Sequence, residues 1–144
     1  MQAPLDAELV LAEDDPDDRF LIVHALRRLR PQLQVATVAD GIELIAHLQQ
    51  RGDGALPRLV LLDLNMPRMD GREVLARLRD DQVFRSIPVV VLSTSVEPED
   101  RSRTHALQAA AFLSKPEEFG AMLAALRELL DQRLGPLPVA ETEA

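Results

Sequence analysis

The stretch Leu59-Val60-Leu61-Leu62-Asp63-Leu64-Asn65-Met66-Pro67 decides the fold. Four apolar residues run straight into an aspartate, and turn-forming residues follow at once. A short continuous apolar run bounded by turn signals reads as a strand buried on both faces. Pro67 and then Met69-Asp70-Gly71 end it. Asp63 therefore stands where a central strand stops, at the mouth of a sheet. In open α/β sheets that mouth is where ligands bind. A lone aspartate after a strand also serves as a loop or cap carboxylate. Other residues arriving at the same mouth set Asp63 apart.

Outward from this strand the chain alternates. Leu9-Val10-Leu11-Ala12 is a first buried strand, and it ends on acid, Glu13-Asp14-Asp15. Pro16 suits the first turn of a helix, with Asp15 as N-cap and Asp17 and Asp18 favourable at its positive end. Ile22, Leu26 and Leu29 give that helix a buried stripe. Leu33 to Val38 alternates, as an edge strand does. Asp40-Gly41 opens a second helix with Leu44, Ile45 and Leu48 inward, and Gly52-Asp53-Gly54 ends it. After the central strand, a helix over 71–81 packs through Val74, Leu75 and Leu78. Ser86-Ile87-Pro88 turns the chain into Val89-Val90-Val91-Leu92, a buried strand ending at Ser93-Thr94-Ser95. The next helix, Pro98 to Ala109, has a thin apolar stripe of Leu107 and alanines. Ala110 to Leu113 is a short fifth strand, ending at Ser114-Lys115-Pro116. Phe119, Met122, Leu123, Leu126, Leu129 and Leu130 keep helical spacing in a last helix, which Gly135-Pro136 stops. Residues 1–7 read as a leader, 8–134 as one domain and 135–144 as a C-terminal tail, of which Val139 to Ala144 is acidic and expected to lack structure.

Five strands alternating with five helices imply an α/β doubly wound sheet, all parallel, with helices on both faces. The common five-stranded solution is flavodoxin-like, with strand order 2-1-3-4-5. It brings Glu13, Asp14, Asp63 and Ser93 onto one rim, and Lys115 arrives from the fifth strand.

Composition narrows the function. One hundred and forty-four residues, 47% of them hydrophobic, build one core. No apolar stretch approaches a transmembrane length, so no membrane partner is expected. The absence of cysteine excludes disulfides, thiolate metal sites and a Cys nucleophile, and fits a cytoplasmic protein. A formal charge of −8 argues against nucleic acid as a partner and favours cations.

Carboxylates converging without compensation repel one another, and a divalent cation relieves this. Oxygen-only ligands, few in number, suit Mg2+. Asp14 and Asp63 are the direct ligands in this reading, the backbone carbonyl of Asn65 completes the set, and Glu13 acts through water. Asp15, Asp17 and Asp18 are read as cap and dipole residues. Beside Mg2+, a carboxylate oxygen of Asp63 can attack a phosphoryl group. The developing charge needs a cation and donors opposite the metal, and Lys115 and Ser93 supply them. Ser93 could instead be a strand-end hydroxyl bonded to backbone, and Lys115 a solvated loop lysine. Their arrival on the ends of successive strands favours the site.

Glu13-Asp14, Asp63, the loop Met66-Pro67 to Met69-Asp70-Gly71, Ser93 and Lys115-Pro116 resemble the receiver domain of bacterial two-component response regulators. The resemblance covers about residues 8 to 134, and its motifs agree in order. It implies that Asp63 accepts a phosphoryl group from a phosphohistidine of a sensor histidine kinase, with Mg2+ required. It also implies a cis peptide before Pro116 and structural roles for Pro67 and Gly71. Ser93, Thr94 and Phe112 take the switch positions. Phe112 stands where tyrosine is frequent, so a phenolic hydrogen bond is unavailable there, and it could instead fill core. Thr94 is larger than the alanine often found at its position and narrows access to the phosphoryl group. The run Glu-Asp-Asp-Pro-Asp-Asp and the Ser-Thr-Ser turn resemble the single-domain regulators paired with bacterial phytochrome kinases. His24, His47 and His105 read as surface or boundary residues.

With no effector segment read after residue 134, the output is expected to be a contact made by the receiver itself. The expected contact is a homodimer through helix four, strand five and helix five, whose last helix has apolar residues to spare. The competing reading is a Mg2+-dependent phosphohydrolase working through an aspartyl-phosphate. Such enzymes want Asp-x-Asp, and Asp63-Leu64-Asn65 lacks the second carboxylate. A receiver fold kept as a mere scaffold would not need the full acid, hydroxyl and lysine set.

Overall fold

The computed structural model describes residues 4–51, 56–94 and 97–136. The strands are β1 (Leu9–Ala12), β2 (Val35–Val38), β3 (Leu59–Leu62), β4 (Val89–Ser93) and β5 (Ala111–Ser114). The helices are α1 (Pro16–Leu29), α2 (Gly41–Gln50), α3 (Gly71–Asp80), α4 (Pro98–Ala106) and α5 (Phe119–Leu134), with a 3-10 turn at Phe84–Ser86. The strands pair in parallel in the order β2-β1-β3-β4-β5, as the alternation requires.

Burial follows position in the sheet. Every residue of β1, β3 and β4 is buried, because helices cover both faces of the centre. Edge strand β2 alternates, and edge strand β5 is half-buried until Ser114, which is exposed. Successive side chains point to opposite faces, so the core splits in two. Val10, Ala12, Val60, Leu62 and Val89 pack against α2 and α3 through Leu44, Leu48, Val74, Leu75 and Leu78. Leu9, Leu11, Leu59, Leu61, Val90 and Leu92 pack against α1 and α5 through Ile22, Leu26, Met122, Leu126 and Leu130.

Three aspartates begin helices by capping orphan amides, each worth about 1 kcal/mol. Asp15 accepts from the amides of Asp17 and Asp18, Asp40 from that of Glu43, and Asp70 from those of Arg72 and Glu73. The two glycines that follow such caps are there for close approach. A Cβ on Gly71 would fall 2.5 Å from the carbonyl oxygen of Asp63, and one on Gly41 2.3 Å from that of Met69. Helix α3 is therefore pressed onto the residue that carries the site, and α2 onto the loop after it.

Several boundaries differ from the sequence reading. β2 starts two residues later than Leu33, because the Leu33 amide closes a turn onto the Arg30 carbonyl at 3.0 Å. α4 stops at Ala106, short of Ala109, because Gln108 takes a left-handed φ of 63°. The amides of Leu107, Gln108 and Ala109 then fold back onto Arg103, His105 and Thr104. No glycine marks that end in the sequence. β5 is displaced by one residue, to Ala111–Ser114. Ala7, read as leader, is fully buried and accepts a bond from Arg51 at 2.5 Å. Gly52-Asp53-Gly54, Ser95 and residues 137–144 lie outside the described residues.

Candidate functional site

Backbone bonds at the strand ends gather the rim. The Asp63 amide donates to the Ala12 carbonyl at 3.1 Å, tying the end of β3 to that of β1. The Glu13 amide donates to Val38 at 3.0 Å, and the Lys115 amide to the Ser93 carbonyl at 2.9 Å. Each functional side chain thus leaves from a backbone held by its neighbour strand. Glu13, Asp14 and Asp63 each offer an oxygen within 4.8 Å of the others. Glu13 is 1% exposed, Asp63 5% and Ser93 0%. Asp14 is half-buried, Asn65 and Thr94 are exposed, and the Asn65 amide donates to Asp63 Oδ1 at 3.3 Å.

Lys115 crosses the rim to three carboxylates. Its Nζ contacts Glu13 Oε1, donates to Asp18 Oδ2 at 3.0 Å and lies 3.6 Å from Asp63 Oδ2. Burial alone would disfavour its ammonium, but the Glu13, Asp18 and Asp63 carboxylates outweigh this and hold its pKa above that of an ordinary lysine. Glu13 shows the opposite balance. Burial pushes its carboxyl up to about 7, a hydrogen bond from Lys115 pulls it down, and the charge on Asp63 pushes it up again. Its Oε1 is buried and ion-paired with the Lys115 ammonium. An oxygen-only donor set, with carboxylates in excess over one ammonium, fits a hard divalent cation.

Asp18 is the partner that sequence reading missed. The sequence reads it as a helix-dipole residue, but a helix that starts at the rim also presents its third residue to the rim. Asp15 caps as read, and Asp17 is exposed. On the other side, Asp40 works in two directions. Its Oδ1 caps α2 at 2.9 Å, and its Oδ2 takes the Arg68 fork at 2.8 and 2.5 Å. Burial would raise its carboxyl, but the Glu43 amide and Arg68 hold it below the usual range. Arg68 itself has a φ of 64°, unusual for a side-chain-bearing residue.

Three expectations, and the core-filling alternative for Phe112, are corrected. The peptide before Pro116 is trans, since no cis bond occurs among the described residues. Lys115 reaches the carboxylates from that geometry, so nothing sets aside the ordinary trans preference. His47 is buried, 5% exposed, with Nε2 3.0 Å from Arg51 Nη1; burial first, and Arg51 second, lower its pKa. Phe112 packs into neither core cluster among the described residues; it is half-buried with the Arg101 guanidinium 4.5 Å above its ring. The apolar surplus expected on α5 is consumed by the core. Phe119, Leu123 and Leu134 pack inward, and the exposed large hydrophobics among the described residues are Phe20, Leu21, Ile42 and Val83.

Sheet order and acidic rim together place the chain in the flavodoxin-like class of α/β domains. A family model described as the response regulator receiver domain matches residues 9–127, and the chain belongs to that family. It is 34% identical over 129 residues to the probable methanogenesis regulatory protein FilR2 of Methanothrix harundinacea, covering 88% of this chain and 83% of that one. It is 36% identical over 110 residues to the response regulator Rcp1 of Synechocystis, covering 74% and 75%. The Mn(2+)-bound form of Rcp1 superposes with a TM-score of 0.80 at 30% identity, covering 92% of this chain and 97% of that one. The phosphorylated cyanobacterial phytochrome response regulator RcpA superposes with a TM-score of 0.82 at 35% identity, covering 92% and 96%. No helix among the described residues is long and apolar enough to cross a membrane.

Proposed function

We infer that this receiver is a phosphorylation switch in which Asp63 takes the phosphoryl group from a phosphohistidine of a sensor histidine kinase. One observation carries the inference. The Asp63 carboxylate ends the central strand, buried, with an ammonium 3.6 Å away and two further carboxylates beside it. In an in-line displacement an Asp63 oxygen forms the new P–O bond as the P–N bond to the histidine breaks, and the imidazole leaves with the electron pair. Lys115 is positioned to neutralise an equatorial oxygen. Ser93, at the buried end of β4, offers a hydroxyl to another, and Thr94 beside it borders the entrance. Asp14, Asp63 and the Asn65 carbonyl would hold Mg2+, with Glu13 acting through water. That ion, when bound, neutralises charge on the phosphoryl oxygens.

Acetyl phosphate should add one phosphoryl group to the protein in Mg2+. Asp63→Asn should abolish the uptake, and EDTA should suppress it. Labelling that survives either treatment would remove Asp63 or the metal from the mechanism. The protein acts by changing shape rather than by turning over a substrate. Asn65 stands where a phosphohydrolase of the Asp-x-Asp type needs its second carboxylate.

A phytochrome kinase as donor accords with the likeness to the phytochrome response regulator RcpA, and a cytoplasmic location with the cysteine-free sequence. A homodimer through α4, β5 and α5 is supported by the edge position of β5 and by a groove between α4 and β5 lined by Arg101, His105 and Phe112. Sedimentation with and without beryllofluoride tests it; a monomer in both states at high micromolar concentration would exclude it.

A further inference from the structure

Among the carboxylates around Lys115, Asp18 stands apart by position. Glu13 and Asp63 follow the ends of strands and are buried, whereas Asp18 comes from the first turn of α1 and its side chain is 38% exposed. Its backbone is fixed from two sides. The Asp18 amide donates to the Asp15 cap at 3.1 Å, and Arg19 Nη1, next along the helix, donates to the Glu13 carbonyl at 3.0 Å. The Asp18 carboxylate therefore has a set place at the rim, and the nearly buried Lys115 side chain reaches it there.

The contacts of the lysine are unequal. An ammonium carries N–H donors for several acceptors at once. Asp18 Oδ2 accepts from Nζ at 3.0 Å, and Glu13 Oε1 is ion-paired with the same atom. Asp63 Oδ2 lies at 3.6 Å, near enough to feel the charge and too far for a hydrogen bond. Burial lowers the pKa of the lysine, and the contacts with Glu13 and then Asp18 outweigh it, ahead of the charge on Asp63. The ammonium is thus held by the two carboxylates that are not the acceptor.

We propose that Asp18 is a positioning residue for phosphoryl transfer: bonded to Lys115 from the first turn of α1, it keeps the ammonium off the attacking oxygen of Asp63 and still close enough to neutralise the incoming group. The proposal rests on Asp63 being the phosphoryl acceptor. An Asp63 oxygen bonds to phosphorus through a lone pair. A charge-assisted hydrogen bond from an ammonium would engage that oxygen and weaken the nucleophile. Asp63 Oδ1 already accepts the Asn65 amide at 3.3 Å, so a lysine closing on Oδ2 would engage both oxygens. At 3.6 Å Oδ2 is spared and the charge still acts. Lysine has a flexible four-carbon stem, so without Asp18 the ammonium moves onto Asp63.

The rate of phosphoryl uptake from acetyl phosphate in saturating Mg2+, followed by intact mass, tests this; an Asp63 oxygen bonds to phosphorus as acetate leaves with the electron pair. D18A should slow uptake by at least about tenfold, since a misplacement of about 1 Å can cost about a hundredfold. D18N removes the same charge but keeps an oxygen for the ammonium, and should stay within about threefold of the wild type. In K115A, adding D18A should change the rate by less than about twofold, because a residue that acts through the lysine is silent without it. D18A no slower than the wild type, equal slowing in D18A and D18N, or slowing by D18A that persists in K115A would overturn the proposal. A crystal structure of cation-free D18A should show Nζ hydrogen-bonded to Asp63 Oδ2, and an unmoved Nζ would also overturn it. A wild type that takes no phosphoryl group, or a D63N variant that still takes one, would overturn the acceptor assignment instead. Should D18A fail to fold, D18S, whose hydroxyl ends one bond short of the carboxylate oxygens, takes its place.

Discussion

Glu13→Gln should stabilise the cation-free protein at alkaline pH and leave it unchanged in acid. Glu13 is 1% exposed, and burial first, with Asp63 adding to it, holds its carboxyl at about 7 against an ordinary 4.5. The folded protein therefore binds more protons than the unfolded chain between those two values. Stability falls as pH rises through that window and levels off above it. Charging the buried group costs roughly 3 kcal/mol, at about 1.4 kcal/mol per tenfold in proton affinity. Glutamine keeps the size and an acceptor for the Asp15 amide but removes one of the carboxylates around Lys115. Asp18 at 3.0 Å and Asp63 at 3.6 Å remain to that lysine. The net gain should be roughly 3 kcal/mol near pH 8, because the pKa of about 7 already includes the attraction between Glu13 and Lys115. Urea unfolding in EDTA at a series of pH values measures it. His47, whose lowered pKa makes stability rise with pH, slopes the other way, but it is common to both proteins and cancels in their difference. Saturating Mg2+ should shrink or reverse the difference, since the ion binds the charged cluster of the folded state. A difference that does not vary with pH, or a destabilised glutamine variant near pH 8, would refute the reasoning.

Asp14→Ala should weaken Mg2+ binding more than Glu13→Ala does. Groups acting through water typically matter by about 10–100-fold and a direct ligand by at least that; calorimetric titration giving the reverse order would overturn the ligand assignment. Gly71→Ala should cost about 1–3 kcal/mol, because its Cβ would meet the Asp63 carbonyl at 2.5 Å. Gly120→Ala, with nothing within 4 Å, should be neutral or gain up to about 1 kcal/mol by helix propensity. Equal urea midpoints for the two would refute the close-approach argument. Arg79→Ala strips donors from the carbonyls of Leu107, Gln108, Arg85 and Ile87 and should cost about 2 kcal/mol, read from the thermal midpoint.

What the sequence discloses is whatever repeats or stands in local order. Strands β1, β3 and β4 are buried on both faces and so are written as unbroken apolar runs. Each of these runs ends on a residue of the rim, which is why Glu13, Asp63 and Ser93 could be placed beforehand. The helix starts were legible because Asp15, Asp40 and Asp70 cap through their own side chains. Long-range polar pairs leave no such trace. Nothing local to Arg72 says that its fork meets Asp100, and nothing local to Asp18 says that Lys115 will reach it, 97 residues away. The end of α4 was misjudged for the same reason that its packing is thin: Gln108 adopts a left-handed backbone without the glycine that usually announces it. His47 reads as a surface or boundary residue because a lone histidine on a helix face carries no sign of a buried arginine four residues on.

The double duty of Asp40 bears on how this protein can be altered. The loop after Asp63 is fastened through Arg68 to a carboxylate 28 residues earlier in the chain, and that carboxylate also begins α2. Anyone transplanting the loop into another receiver would have to carry Asp40 and Gly41 with it, though neither touches the chemistry. A recipient lacking the aspartate would inherit Arg68 in its left-handed backbone with no anchor to justify it. Glycine at that position would then be the better tenant. The smallest exchangeable unit here is set by who holds whom across the rim, and it is not contiguous in sequence.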